Sequence, residues 1–175
     1  MNNKDVIVIG GGAAGFFTAI NIAQQNPHLK VVILERGKEG LAKVKVSGGG
    51  RCNVTHAEFI PSELVLNYPR GEKELLGPFH SFMTGDTMAW FEERGVELKI
   101  EDDNRVFPIT DNSLSIVNCL LDEVKKFGIV VKTQETVQNF SKEDDKWIVE
   151  TKSSKYSADK LFLGTGSSKF IWNIV

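Results

Sequence analysis

The chain has 175 residues, 41% hydrophobic and 25% charged, which is an ordinary globular composition with room for one well-buried domain or a crowded pair. A formal net charge of −2 excludes a general nucleic-acid or anionic-membrane binder, because nothing supplies a broad positive field. Cys52 and Cys119 lie far apart and imply no disulfide framework, and no apolar run approaches the ~18 residues of a membrane span, so a cytoplasmic chain without a membrane partner is expected.

The amino terminus runs into a short apolar segment, too brief for a signal peptide. That segment, 6–9, is a continuous β-branched run and predicts a parallel strand buried on both faces. Glycines follow, then a helix over 16–25 that Asn26-Pro27 ends, then a second buried strand over 31–34. Strand, glycine turn, helix and strand make a βαβ unit. Residues 37–56 read as a glycine-rich polar segment, and 57–81 as irregular with one short helix, because prolines and glycines interrupt them.

A helix is expected over 86–94, with Thr84 or Gly85 at its start and Gly95 beyond its end. Segments 96–100 and 104–107 read as paired strands around the acidic turn 101–103. Asp111 or Asn112 can cap a helix over 113–127 whose apolar stripe is Leu114, Val117, Leu121 and Val124. Segments 129–132, 135–140, 146–151 and 154–157 then read as a strand and an antiparallel meander, with 142–145 as one turn. A separate short strand, 160–163, leads into Gly164-Thr165-Gly166. The expected fold is a three-layer, Rossmann-like α/β domain with a parallel sheet and an antiparallel meander.

The chemistry concentrates in two glycine clusters. Gly10-Gly11-Gly12-Ala13-Ala14-Gly15 matches G-x-G-x-x-G between a strand and a helix. Gly10 permits a tight turn, Gly12 lets backbone approach a pyrophosphate, and Gly15 lets the helix pack on the strand. The helix amino terminus would face the phosphates with its N–H groups. Glu35 ends the second strand, where a carboxylate can accept from a ribose 2′-hydroxyl and would repel a 2′-phosphate. The dinucleotide is therefore expected to be FAD or NAD, not NADP.

In the second cluster, Ser47-Gly48-Gly49-Gly50-Arg51-Cys52-Asn53, three consecutive glycines suit a loop lining the pyrophosphate and ribityl region, with Lys43 and Arg51 supplying positive charge. A plain linker is the competing reading. Cys52 could lie near the flavin, although a buried inert thiol is the commoner fate. His28, His56 and His80 show no metal spacing, so no metal is expected, and only His56 is placed to touch a cofactor.

The run 40–56 resembles the G-x-K-x-x-x-S-G-G-G-R-C-N-x-T-N stretch of the BaiN-like flavoproteins, also described as aminoacetone-oxidase-family FAD-binding enzymes. Arg105-Val106-Phe107-Pro108 resembles that family's R-V-F-P box, and Gly164-Thr165-Gly166 its A-T-G-G element. Three positions depart from the pattern: Leu41 stands where glycine is usual, His56 replaces an asparagine, and Ser167 replaces a glycine. The resemblance implies an FAD-dependent oxidoreductase taking electrons from NAD(P)H as a transient reductant to a small-molecule acceptor, in some members an activated carbon–carbon double bond. The implied cofactor-binding set is Gly10, Gly12, Ala13, Ala14, Gly15, Glu35, Arg36, Lys43, Ser47, Gly48, Gly49, Gly50, Arg51, Cys52, Asn53, Val137, Thr165 and Gly166; no catalytic residue is assigned.

Members of that family are longer, so residues 1–175 are expected to be the amino-terminal part of the FAD-binding domain, without the substrate domain and the carboxy-terminal FAD-closing segment. Such a piece is expected to be inactive alone and prone to self-association. An NAD-dependent dehydrogenase domain and a cofactor-holding module without turnover are the two rival readings.

Overall fold

The computed structural model describes residues 2–174 and divides the chain into two compact units, residues 1–44 with 120–175 and residues 45–119. The second is inserted in the chain between two neighbouring strands of the first.

In the first unit, β1 (Asn2–Ile9), β2 (Val31–Leu34), β6 (Val130–Lys132), β7 (Val137–Glu143), β8 (Lys146–Thr151) and β9 (Lys155–Leu163) form one sheet in the order β6-β2-β1-β9-β8-β7. The pairs from β6 to β9 are parallel and those from β9 to β7 antiparallel. The runs 6–9 and 31–34 are buried along their whole length, as strands covered on both faces require. Ile7, Ile9, Val32 and Leu34 face a core completed by Val137, Val149, Tyr156, Ala158 and Ile171. The alternate residues face the other side, where α1 (Ala13–Gln25) contacts β1 and β2 and buries Phe16, Ala19, Ile20 and Ala23. The helix α1 begins at the glycine motif itself, earlier than the expected residue 16. A short α7 (Lys169–Trp172) closes the unit.

Two expected strands, 154–157 and 160–163, are one. β9 runs unbroken because β1 templates it from Asn2↔Tyr156 to Ile9↔Leu163, while its first residues also pair with β8. The meander is therefore continuous with the parallel sheet. Its hairpin is tighter than the expected turn at 142–145: Glu143 pairs with Lys146, and only Asp144 and Asp145 turn, at φ 43° and 65°.

The second unit holds most of α2 (Ala42–Gly50), then β3 (Thr55–His56), α3 (Pro61–Val65), α4 (Glu72–Phe79), α5 (Thr84–Glu92), β4 (Leu98–Ile100) and β5 (Arg105–Pro108). Its three strands form an antiparallel sheet, β3-β5-β4, as the 96–107 pattern predicted for the latter two. Where one short helix was expected over 57–81 there are two, because Pro61 occupies the first turn of α3, which tolerates a missing N–H. Thr84 does not cap α5: it is buried as the first helical residue and donates its hydroxyl to His56 O, while the Asp86 carboxylate accepts from Met83 N.

The helix α6 (Leu114–Lys126) starts in the second unit and ends in the first. Asn112, and not Asp111, caps it, accepting from Leu114 N. Its buried face also differs from expectation. Leu114 and Leu121 are 42% and 44% exposed, whereas Ile116, Val117, Leu120 and Val124 are buried. The stripe is rotated because Ser113, anchored through its hydroxyl to Lys45 O, fixes where the first turn faces.

Candidate functional site

The first unit gathers the glycine motif, Glu35 and the Gly164–Gly166 turn. Gly10 sits at φ 106° and donates to Leu34 O; a Cβ there would come within 2.5 Å of Gly164 O. A Cβ on Gly15 would stand 1.9 Å from Gly10 O and 3.3 Å from Val8 Cγ1. These two glycines are required by backbone-to-backbone contact inside the protein. Gly12 differs: a Cβ there meets nothing within 4 Å, and its φ of −92° is open to any residue. The protein itself therefore makes no demand for glycine at position 12.

Gly12 is also the N-cap of α1, which has no side-chain cap and no carboxylate in its first turn. The first N–H groups of such a helix have no intrahelical acceptor and carry its positive dipole end. Ala13 and Ala14, in that first turn, are exposed. Beside Gly10, whose Cβ would stand 3.1 Å from Thr165 Cα, the buried Thr165 Oγ1 has no hydrogen-bond partner among the described residues.

Glu35 is pinned at the end of β2. One carboxylate oxygen accepts from Gly11 N at 2.7 Å and the other from Gly37 N at 2.6 Å. Each oxygen keeps a lone pair for a further donor. This anchoring involves two glycines outside the expected set, since a Cβ on Gly11 would lie 2.9 Å from Glu35 Cβ and one on Gly37 3.0 Å from Glu35 Oε1. A third is Gly164, where a Cβ would lie 3.0 Å from Gly15 N. The sequence signals for these three were their membership in glycine-rich clusters and, for Gly164, the resemblance to the A-T-G-G element. Arg36 and Lys43 belong to the same unit and are exposed. Val137 has its side chain in the core, so only its backbone, at a bulge of β7, could face a ligand. Gly166, at φ 57°, accepts from Trp172 Nε1.

Leu41, the departure from the family glycine, adopts φ 60°, where glycine is favoured. Its N–H donates to Gly11 O at 2.7 Å and its side chain is 1% exposed. The usual glycine is thus explained by backbone conformation, and leucine here offsets that cost by burial.

The 47–53 cluster belongs to the second unit. It is a helical turn broken at Ser47, with Gly48, Gly49 and Gly50 all at positive φ. Gly48 is enforced, because a Cβ would lie 2.7 Å from Asn53 N and 2.9 Å from Phe107 Cε1; Gly49 and Gly50 face open space. Cys52 also has positive φ and is buried, and burial pushes its thiol pKa up. Asn53 Oδ1 accepts from Val106 N.

Arg51 was expected to add free positive charge to this loop. Instead its guanidinium lies 3.9 Å over the Phe107 ring and bonds to Glu101 at 2.5 Å and Asp111 at 3.3 Å, and the bond to Glu101 raises its pKa. The charge is balanced within the unit, so Arg51 fastens the loop to β5 and its flanking turns.

The residues of the first unit fit a dinucleotide with an anionic centre: an uncapped helix end, an open face at Gly12, an orphaned hydroxyl and an anchored carboxylate. Comparison with known proteins agrees. The HI0933-like protein Rossmann domain matches residues 4–171. The ribosomal RNA dihydrouridine synthase of Escherichia coli (strain K12) is 26% identical over 95% of this chain and 40% of its own length. The 3-dehydro-bile acid delta(4,6)-reductase of Clostridium scindens is 25% identical over 91% of this chain and 38% of its own. The chain thus spans about two fifths of the length of these relatives. Among solved structures, 3-ketosteroid-delta4-(5alpha)-dehydrogenase from Rhodococcus jostii RHA1 superposes with a TM-score of 0.66 at 14% identity, covering 93% of this chain and 45% of that one, a likeness of fold. Among the described residues no helix is long and apolar enough to cross a membrane.

Proposed function

This chain belongs to the HI0933-like Rossmann-domain family, and from that premise we propose that it forms the FAD-binding part of a flavin-dependent oxidoreductase, with NAD(P)H as reductant and an unsaturated organic ring as acceptor. The observation that carries the cofactor assignment is Gly12: a glycine with no internal reason, at the uncapped end of a 13-residue helix. FAD would supply the electron-carrying chemistry. The first N–H groups of α1 and the Thr165 hydroxyl would hold the pyrophosphate, and Glu35 the adenosine ribose. A carboxylate at that place repels a 2′-phosphate, which supports FAD over NADP as the held dinucleotide. The segment 132–135 runs beside Glu35–Gly37 through backbone bonds.

The relatives' names, a bile-acid reductase and a ribosomal RNA dihydrouridine synthase, support the acceptor class. The two buried cysteines, which form no disulfide among the described residues, support a reducing compartment such as the cytoplasm.

The test is titration of FAD into the 175-residue chain, followed by flavin fluorescence. Glu35→Ala removes charge-assisted bonds worth ~1.5–3 kcal/mol, so affinity drops about tenfold or more. Unchanged affinity would place the ribose elsewhere. NAD+ binding in place of FAD would favour the dehydrogenase reading.

A further inference from the structure

The second unit contains a cavity of about 320 Å³ that the cofactor assignment does not use, and every residue lining it lies between Asn53 and Thr87. Ligand cavities run ~300–1,000 Å³, with apolar walls and a few placed polar groups. Here one wall is aromatic. Tyr68 and Phe79 stand with ring centroids 5.5 Å apart at 52°, and Phe82 completes the wall. Tyr68 and Phe82 are each 40% exposed, a large aromatic surface to leave in water.

The polar groups divide into two kinds. Thr84, on the floor, is already satisfied by its bond to His56 O. Asn53 is half used: Val106 N donates to its Oδ1 at 3.2 Å, which orients the carboxamide and leaves the Nδ2 donors without a partner among the described residues. The His56 imidazole likewise makes no hydrogen bond or ion pair among the described residues. Among the described residues no aspartate, glutamate, lysine or arginine lines the cavity. A phosphate or carboxylate ligand would find no countercharge there.

We infer that this cavity binds a neutral, flat, multi-ring compound that presents a carbonyl oxygen to Asn53 Nδ2 and His56 and packs its rings against the wall formed by Tyr68, Phe79 and Phe82. The inference does not rest on the FAD assignment, since the lining belongs wholly to the second unit. It assigns a role to His56, which stands where the related sequences carry asparagine: both side chains can donate to a carbonyl, so the replacement keeps the hydrogen-bonding capacity.

Titration of the 175-residue chain with flavone, followed by ¹H–¹⁵N NMR, tests this, with carbonyl-free flavan as control. Saturable shifts confined to residues 53–56, 68 and 79–87 are expected, with flavone binding up to about tenfold tighter than flavan, as one hydrogen bond allows. Asn53→Ala should abolish the difference between the two compounds, and Phe82→Ala should weaken both. His56→Ala guards against misfolding in the Asn53 variant, because its side chain makes no hydrogen bond or ion pair among the described residues, and it should reduce the preference for flavone. Shifts scattered over the surface, or a flavone affinity indifferent to both polar substitutions, would overturn the inference. Saturating FAD should leave flavone binding unchanged; competition between them would assign the cavity to the flavin ring and overturn a separate ligand. Failure of FAD to bind would count against the proposed cofactor alone.

Discussion

Adding one methyl group at Gly12 and one at Gly15 should have opposite consequences, although both glycines belong to one motif. At Gly12 the alanine Cβ enters open space, and φ −92° with ψ −172° suits any residue. Alanine is a poorer N-cap than glycine by roughly 0.5–1 kcal/mol, while its lower entropy in the unfolded chain returns about 0.4–1 kcal/mol. The stability of Gly12→Ala should therefore lie within about 0.5 kcal/mol of the parent. Its methyl, however, stands where a phosphate would approach the helix end. Losing one charge-assisted bond there, ~1.5–3 kcal/mol, lowers FAD affinity by about ten- to a hundredfold.

At Gly15 the Cβ meets Gly10 O at 1.9 Å, and that oxygen belongs to a turn locked against Gly164. Overpacking against backbone should cost about 3 kcal/mol or more, in unfolding and irrespective of ligand. Urea denaturation followed by the fluorescence of Trp90, Trp147 and Trp172 measures the first quantity, and flavin fluorescence the second. A Gly12→Ala protein that binds FAD like the parent, or that unfolds as early as Gly15→Ala, would refute the reasoning.

Leu41→Gly should restore the residue usual in related sequences yet destabilise: relief of ~1–2 kcal/mol of left-handed strain is outweighed by ~2–5 kcal/mol of lost burial, and a raised urea midpoint would contradict this. Cys52, buried with its thiol pKa raised by desolvation, should resist a disulfide reagent at pH 7 until the protein is denatured; rapid labelling of the native chain would show an accessible, reactive thiol. Burial alone would raise the Glu135 carboxyl, but hydrogen bonds from Thr151, Tyr156 and Ser153 hold it below the usual value. Its contribution is therefore present above the unfolded value near ~4.3 and lost as pH falls through the lower folded value. Urea midpoints recorded from pH 6 downward should fall less steeply in Glu135→Gln, and parallel curves would exclude the linkage.

Much of the first unit was legible because its signals are local. The runs 6–9 and 31–34 are apolar at every position, and burial on both faces follows. The G-x-G-x-x-G spacing with Glu35 behind it needs nothing beyond a strand, a turn and a helix, and those three elements occur in that order. The departure at Leu41 was visible in the sequence, but its φ of 60° emerged only in the fold.

What tertiary structure decided is non-local. β9 is one strand because β1, more than 140 residues earlier in the chain, holds it in register across the charged pair Asp159-Lys160. The buried face of α6 follows from where Ser113 is anchored, and not from the first leucine of its periodic pattern. Arg51 reads from sequence as a free cation beside a glycine loop; its partners Glu101 and Asp111 lie 50 and 60 positions away, and only folding sets them against it. The cavity between Asn53 and Thr87 likewise has no sequence signature, because its aromatic wall comes from segments separated by prolines and glycines. Hydrophobic period and turn chemistry act over a few bonds, so one sequence window contains them. Register, ion pairing and cavities depend on which distant surfaces meet, and that is settled by the packing of the whole chain.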